Sequence, residues 1–488
     1  MSVPLGAIQR RPALAGGVVL VVLAAALYAI TLDDGLRLGE LAGGDLITHH
    51  YAQAQGRPAN APGYPWYTML GWAWFRLGRV LLPWLNATQI LSLYSTLWAL
   101  AALALFYLLL LEVADWRLAA LVAGFYAVTY FFWYYAVTSE QYASAVFQTL
   151  LFALWAFRWQ RCRQDRYLLY SALNAGFCLS NLVTALFILP ALAFFYLSQA
   201  PALLRRGRLM LKMASLALAP LLGYAYVYFA GARNPEWRGA GQAGLSAWSW
   251  FVRFLSTAQG RAELTWTLGP LTEEFPWLMA QELLPAVFLI SLMGLWLLGA
   301  RRAGLVYLTL AIYLVFGYID RHGNWYQVVM PVYPLLLLGL AAALNALWTR
   351  AGGRRAAIWR ALLVAGMLAL IGLRFCTNLP RADQSGRPDD DAIPLAREIV
   401  TDEPAVGALI YGTASEIAAL NYLTIVWGER SDLEPADTGR ARQWLSAGDE
   451  RALYVTARAA GLFQREVGDS VSLWAAGERL IRVLRAPA

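Results

Sequence analysis

The sequence predicts a polytopic α-helical membrane protein, with about 11 transmembrane helices and a small C-terminal extracytoplasmic α/β domain. Three observations predict it. The 488-residue chain is 59% hydrophobic and only 14% charged, against about 25% charged in soluble domains, and its mean hydropathy is +0.48. Apolar runs recur at the roughly 17–25-residue length that carries a helix across a ~30 Å hydrocarbon core. The net charge of +8 comes from arginine, Lys212 being the sole lysine. Those arginines cluster in every second loop, which reports topology and not nucleic-acid binding.

In chain order, Arg10-Arg11 precedes an apolar run that lacks a small-residue cleavage site, and so reads as a retained signal anchor. Spans are expected near 13–32, 88–111, 116–137, 141–158, 167–181, 183–199, 211–230, 282–299, 303–319, 328–348 and 358–375. The pair 167–181 and 183–199 is short, and a hairpin that stops partway fits it as well. The basic clusters Arg10-Arg11, Arg158 to Arg166, Arg205 to Lys212, Arg301-Arg302 and Arg350 to Arg360 place the N-terminus in the cytoplasm. Counting Tyr64 to Leu82 as a span would put the later clusters on the wrong side, so it reads as an interfacial helix. Residues 1–378 thus form a membrane domain with outer loops 33–87 and 232–280, and 379–391 reads as a linker. The tail, 392–488, alternates strand-like runs (Ala408 to Tyr411, Leu453 to Thr456, Leu480 to Leu484) with helix-like ones such as Ser415 to Trp427. Cys162, Cys178 and Cys376 show no ligand spacing, and no structural disulfide is expected.

The chemistry gathers on the outer side. Gly43-Gly44 releases the chain into a helix whose first turn carries Asp45, with Thr48, His49 and Gln53 on the same face and Leu46, Ile47 and Ala54 opposite. Asp45 reads either as a helix cap or as a carboxylate general base favoured by the helix N-terminus. Asp45 and His49, four residues apart, also suit a divalent metal, with Asp320 or His322 completing the shell. Pro62-Gly63-Tyr64-Pro65 forces a sharp turn at the membrane surface. Glu140 sits at the outer start of a span among Trp133, Tyr134 and Tyr142, either as an interfacial carboxylate or as a functional one. In the second outer loop Arg238 and Arg261 lie among tryptophans, as an aromatic belt with solvated arginines or as a surface for sugar faces and phosphate. The short turn from Asp320 to Gln327 is dense in polar groups: Arg321 suits a lipid phosphate, and Asp320, Asn324 and Gln327 suit sugar hydroxyls.

An acid about 17 residues before Pro62-Gly63-Tyr64-Pro65-Trp66-Tyr67-Thr68, in the first outer loop of a multi-pass protein, resembles the GT-C glycosyltransferases. The likeness is to the branch related to protein O-mannosyltransferases, once catalogued as a domain of unknown function. There an Asp-Ser-Gly-Glu motif precedes His-Pro-Pro-Gly-Tyr-Pro-Leu-Tyr, and on that register Asp45 takes the place of the catalytic aspartate. Trp133 to Tyr142 resembles the family's Trp…Ala…Glu-Val-Tyr segment, aligning Glu140, and Ser180 to Thr184 its Gly-Asn-His-x-Thr, aligning Asn181. The family Glu falls on Thr48, the His before Pro-Pro-Gly on Asn60, and the His after Asn181 on Leu182. The resemblance implies a fold of GT-C type and a membrane hexosyl or pentosyl transferase. Its donor would be a polyprenyl-phosphate-linked sugar, and its acceptor a hydroxyl of a protein, lipid or glycan. Asp45 and Glu140 would be catalytic, and His49, His50, Asn60, Tyr64 and Asn181 would contact substrate. No cofactor is required by this chemistry beyond the divalent metal already considered. A lipid-linked glycan transporter or flippase and a non-catalytic glycan-binding scaffold are the rival classes.

Overall fold

The computed structural model describes residues 7–239, 241–256, 264–267, 275–321, 323–350, 356–447, 449–467 and 471–485. Among them, six helices are long and apolar enough to cross a membrane: Arg11–Ile30, Ala87–Leu110, Gly207–Arg233, Ala300–Ile319, Val332–Arg350 and Ala356–Ala382. Two helix pairs pass only together, Trp116–Ala127 with Tyr130–Val137 bent by 69° and Trp277–Leu283 with Pro285–Leu298 bent by 92°. These eight fall on eight of the expected segments, and the chain is a multi-pass membrane protein. The other three segments are helical as well. Tyr142–Cys162 is a 21-residue helix, whereas Arg166–Leu179 has 14 residues, about 21 Å at 1.5 Å per residue and short of a full crossing. Val183–Leu197 is likewise short. Tyr64 to Leu82 becomes the helix Pro65–Leu81, with Tyr67, Thr68 and Phe75 buried while Leu70, Leu77 and Val80 are exposed.

The chain divides into two compact units, neither continuous in sequence: 1–32, 60–68 and 92–383 form the first, and 33–59, 69–91 and 384–488 the second. In the first, one apolar core links the spans from Leu20 to Ala382. Gly294 and Gly339 let the Pro285–Gly294 and Val332–Arg350 helices approach to backbone contact, since a Cβ at either would run into the other helix's backbone.

The two bends leave helix-end N–H and C=O groups inside the bundle, where water cannot satisfy them. Three polar side chains close them. The Glu282 carboxylate accepts from the Phe131 N–H at 2.9 Å, Arg374 donates to the Glu282 carbonyl at 2.7 Å, and Asn378 donates to the Val128 carbonyl at 2.8 Å. Arg374 also pairs with the Glu282 carboxylate at 3.6 Å. Charges that hydropathy alone would exclude from a bundle therefore serve as caps brought from distant parts of the chain.

The second unit holds a five-stranded mixed sheet ordered β2-β1-β3-β5-β4, with β1 Leu409–Tyr411, β2 Glu434–Ala436, β3 Leu453–Thr456, β4 Val471–Ala475 and β5 Leu480–Arg485. β1 runs parallel to β2 and β3, and β5 antiparallel to β3 and β4. Alternation fills both faces: Leu409, Tyr411, Leu453 and Val455 pack with Trp444 and Phe463, while Ile410, Tyr454 and Leu480 pack with Ile399 and Leu420. β1, β3 and β5 match the strand-like runs read from sequence. β2 and β4 were not legible, since β2 contains Pro435 and β4 is only partly buried. The expected helix from Ser415 splits into Ala414–Asn421, opened by a Thr413/Glu416 capping box, and a π-helical turn, Tyr422–Trp427.

A third core in this unit joins Leu36, Leu41, Ile47, Phe75, Ile90 and Leu91 to Ile393, Ala419, Tyr422 and Val426. The stretch read as a linker, 379–391, is ordered: Ala356–Ala382 runs into it, and within it the Arg387 side chain is buried among carboxylates. Arg387 pairs with Asp390 at 2.7 Å, Glu40 at 3.1 Å and Asp33 at 3.5 Å. The sequence shows Asp, Arg and Pro there, as a solvated linker would, because Glu40 and Asp33, two of the three carboxylates around Arg387, lie about 350 residues earlier.

Candidate active site

In the second unit, Gly43 and Gly44 have φ of 147° and 109°, values L side chains rarely adopt. They turn the chain directly into Asp45–Gln55, whose first residue is Asp45 and whose N-cap, Gly44, offers no side chain. Asp45 is half-buried. Its carboxylate therefore stands in the helix's first turn, where the macrodipole favours the anion.

His49 and His50 are both buried. His50 is tied into the unit's interior: its Nδ1 is 2.9 Å from the Tyr422 hydroxyl, which is 2.8 Å from Thr88 Oγ1. Burial, and then His49, holds the His50 pKa down to about 3, so its ring is neutral. These contacts hold His50 in the unit's interior. Gln53 is fully buried on the same helix, and Gly71 is what admits it: a Cβ at Gly71 would stand 2.5 Å from the Gln53 amide carbon. Gly71, three residues after the Pro62 to Thr68 motif, is thus a helix-packing position.

In the first unit, that motif reaches Glu140. Gly63, at φ 97°, seats the turn against Phe254 and Val227. Tyr64 adopts φ 40°, and Asn60 is exposed at the start of the turn, its carbonyl accepting from the Gly63 N–H at 2.6 Å. Tyr67, one turn into the helix, is 3.2 Å from Ser95 Oγ. Ser95 holds the Glu140 backbone on both sides, donating to its carbonyl at 2.9 Å and accepting from its N–H at 3.1 Å. A serine has one proton, so Tyr67 is the donor to Ser95.

Glu140, buried in the break before Tyr142–Cys162, has Gln327 and Asn181 around the start of that helix. Gln327 Oε1 accepts from the Tyr142 hydroxyl at 2.7 Å, and its Nε2 donates to Tyr135. Asn181 donates to Ser144 Oγ at 2.9 Å, while its buried Oδ1 has no hydrogen-bond partner among the described residues. Four segments that sequence singled out are therefore brought together here: the Pro-Gly-Tyr-Pro turn through Tyr67, the Glu140 segment, the Asn181 loop and the Gln327 loop. Ser95, Tyr135 and Ser144 were not legible as partners, since each is an ordinary small or aromatic residue within an apolar run.

Other candidates go elsewhere. Arg238 spends its donors on the carbonyls of Gly231 at 2.7 Å and Leu245 at 2.6 Å, beneath Trp250. It pins its own loop. Arg321 donates to the Tyr318 and Thr267 carbonyls and lies over the Tyr318 ring. Asp320 is buried, and its carbonyl accepts from the Gly323 N–H. Asn324 is exposed ahead of the turn that carries Gln327. Arg261 and His322 lie outside the described residues. Among the described residues no group of three or more His, Cys, Asp or Glu is placed to hold a metal ion.

No protein-family model matches this sequence, and no curated protein matches it. Solved structures do. ArnT from Cupriavidus metallidurans in the apo state aligns with a TM-score of 0.60 at 15% identity, over 96% of this chain and 98% of ArnT. The same protein bound to undecaprenyl phosphate aligns with a TM-score of 0.60 at 14% identity, over 96% and 97%. Over nearly its whole length the chain is thus similar in fold to ArnT.

Proposed function

We propose that this protein is a membrane glycosyltransferase that takes a sugar from a polyprenyl-phosphate donor and places it on an extracytoplasmic hydroxyl. The observation that carries the reading is the match over nearly the whole of both chains to ArnT bound to undecaprenyl phosphate. In the proposed displacement, the acceptor O–H gives its proton to the Asp45 carboxylate while the oxygen forms a bond to the anomeric carbon. The bond from that carbon to the phosphate oxygen breaks, its electron pair leaves on the polyprenyl phosphate, and the configuration inverts. Glu140 is assigned to the same reaction, with Gln327 and the spare Asn181 Oδ1 available to sugar hydroxyls. The donor's phosphate is assigned to Arg261 or Arg321, and other substrate contacts to His49, Asn60, Tyr64, Asp320 and Asn324. A hexosyl or pentosyl group, a protein, lipid or glycan acceptor, and kinship with the protein O-mannosyltransferase branch complete the proposal. So does a cytoplasmic N-terminus, with 1–378 as the membrane part and 392–488 as an extracytoplasmic tail.

The bent helix pairs favour one rival, a lipid-linked glycan transporter, because transporter sites are built at broken helices. Here Glu282, Arg374 and Asn378 close helix-end groups at the bends, so the breaks are already occupied. The test is transfer of radiolabelled sugar from a panel of polyprenyl-phosphate sugars by the protein in lipid, with and without chelator. Turnover that disappears in Asp45→Asn supports the enzyme and its base, and the chelator arm reports metal dependence. Equal turnover in Asp45→Asn would reduce Asp45 to a helix terminus, and donor binding without turnover in the wild type would favour the transporter.

A further inference from the structure

We infer that Tyr422, in the C-terminal part of the second unit, is a positioning residue for the Asp45 helix; the inference rests on the reading of Asp45 as the base. Tyr422 is fully buried, and its one hydroxyl lies 2.9 Å from His50 Nδ1 and 2.8 Å from Thr88 Oγ1. Its ring stacks on His50 at 5.8 Å and meets Tyr51 edge-on at 6.3 Å. Trp427 grips the same threonine, donating from its indole N–H to Thr88 Oγ1 at 3.3 Å, and its carbonyl accepts from Arg79 at 3.2 Å.

The π-helical turn Tyr422–Trp427 explains how both side chains reach Thr88. An α-helix turns 100° per residue, so residues five apart would diverge by about 140°. The i→i+5 bonding of a π turn brings such residues one above the other. An irregular turn in the tail thus directs two side chains onto Thr88, and through Tyr422 onto His50.

Asp45–Gln55 needs such a hold. Its N-cap, Gly44, contributes no side-chain hydrogen bond, and Gly43 and Gly44 have positive φ, so its rotation and height are set through its other residues, among them Ile47 in the shared core and His50 on Tyr422. Those two coordinates decide where the Asp45 carboxylate stands, and a displacement of about 1 Å can cost on the order of a hundredfold in rate. His50, five residues on, is the polar side chain of this helix through which Tyr422 transmits register.

The experiment uses the full chain in lipid. Tyr422→Phe removes one oxygen and keeps the stacked ring. It should lower kcat for donor consumption at least tenfold with KM for the donor within twofold, and speed hydrogen exchange across 45–55. Thr88→Val should do the same and Thr88→Ser should restore kcat. Tyr411→Phe is the control, since that hydroxyl bonds to Glu466 in the same unit, and it should leave kcat unchanged. Wild-type kcat in Tyr422→Phe, or an equal loss in Tyr411→Phe, overturns the inference alone. A wild type that turns over no donor, or whose activity persists in Asp45→Asn, overturns the underlying reading and the inference with it.

Discussion

Arg387→Ala tests whether the second unit is held together by charge buried between its separated segments. Arg387 has a side chain 7% exposed and faces Asp33, Glu40 and Asp390, whose side chains are 1%, 22% and 10% exposed. It also donates to the Gly35 carbonyl at 3.2 Å and the Gln384 amide oxygen at 2.8 Å. Truncation would leave three carboxylates facing one another with no cation. Removing one partner of a buried pair costs about 3–5 kcal/mol, which in a unit of this size lowers the midpoint by on the order of 10 °C. The pH dependence identifies the cause. Burial raises the Asp33 carboxyl well above the usual carboxylate range against the pull of Arg387, with Glu40 and Asp390 adding to the rise. Asp390 is raised as well, by burial. A carboxyl raised in the folded state binds more protons there than when unfolded, so its stability contribution increases as pH falls toward the folded pKa. Without Arg387 that rise is larger. The variant should therefore recover part of its loss between pH 7 and pH 5, by up to about 1.4 kcal/mol per group and pH unit. Limited proteolysis of the unit and thermal melts in detergent at the two pH values measure it. A loss below about 1 kcal/mol, or one that does not change with pH, would refute the reasoning.

Gly71→Ala should cost about 1–3 kcal/mol through overpacking, because its Cβ would meet Gln53; pairing it with Gln53→Ala should return most of the loss, and a strictly additive double-mutant cycle would show the contact is not the cause. Arg374→Leu should destabilise the first unit by about 3–5 kcal/mol, since it strands the Glu282 carboxylate, whereas the double replacement Arg374→Leu with Glu282→Leu should be milder, as read by denaturation in mixed micelles. Ending the chain after Ala382 should abolish exchange protection in 45–55, because Ile47 shares its core with Ile393, Tyr422 and Val426. A truncated protein that keeps those amides protected would make the tail a separable module.

What was legible in the sequence follows from how far each signal reaches along the chain. A span is local: about twenty apolar residues suffice, and the eight long or bent spans fall where hydropathy put them. The helix opened by Gly43-Gly44, the turn at Gly63 and the strands β1, β3 and β5 are local too, each set by residues adjacent to it. The bend in Trp116 to Val137 was not legible, because the run from Leu118 to Val137 is apolar but for Thr129 and its break is closed by Glu282, about 150 residues away. Arg238's bonds to its own loop's carbonyls were not legible either, because an arginine among tryptophans looks the same in sequence whatever it faces.

The partners of Asp45 show why the tail could be seen but not understood. Read forward, 33–87 is a loop of the membrane domain and 392–488 a separate small fold, since composition changes between them and hydropathy has no term for contact. In the folded chain, Leu36, Ile47 and Phe75 have no core of their own and share one with Ile393, Ala419 and Val426. A short helix of polar and small residues gains little from propensity alone. Its order must come from what covers it, and within this unit that cover includes the π turn and the shared apolar core. The position of the proposed base therefore depends on residues more than 300 positions later, and a change in the tail far from any chemistry should be read first as a change in where Asp45 stands.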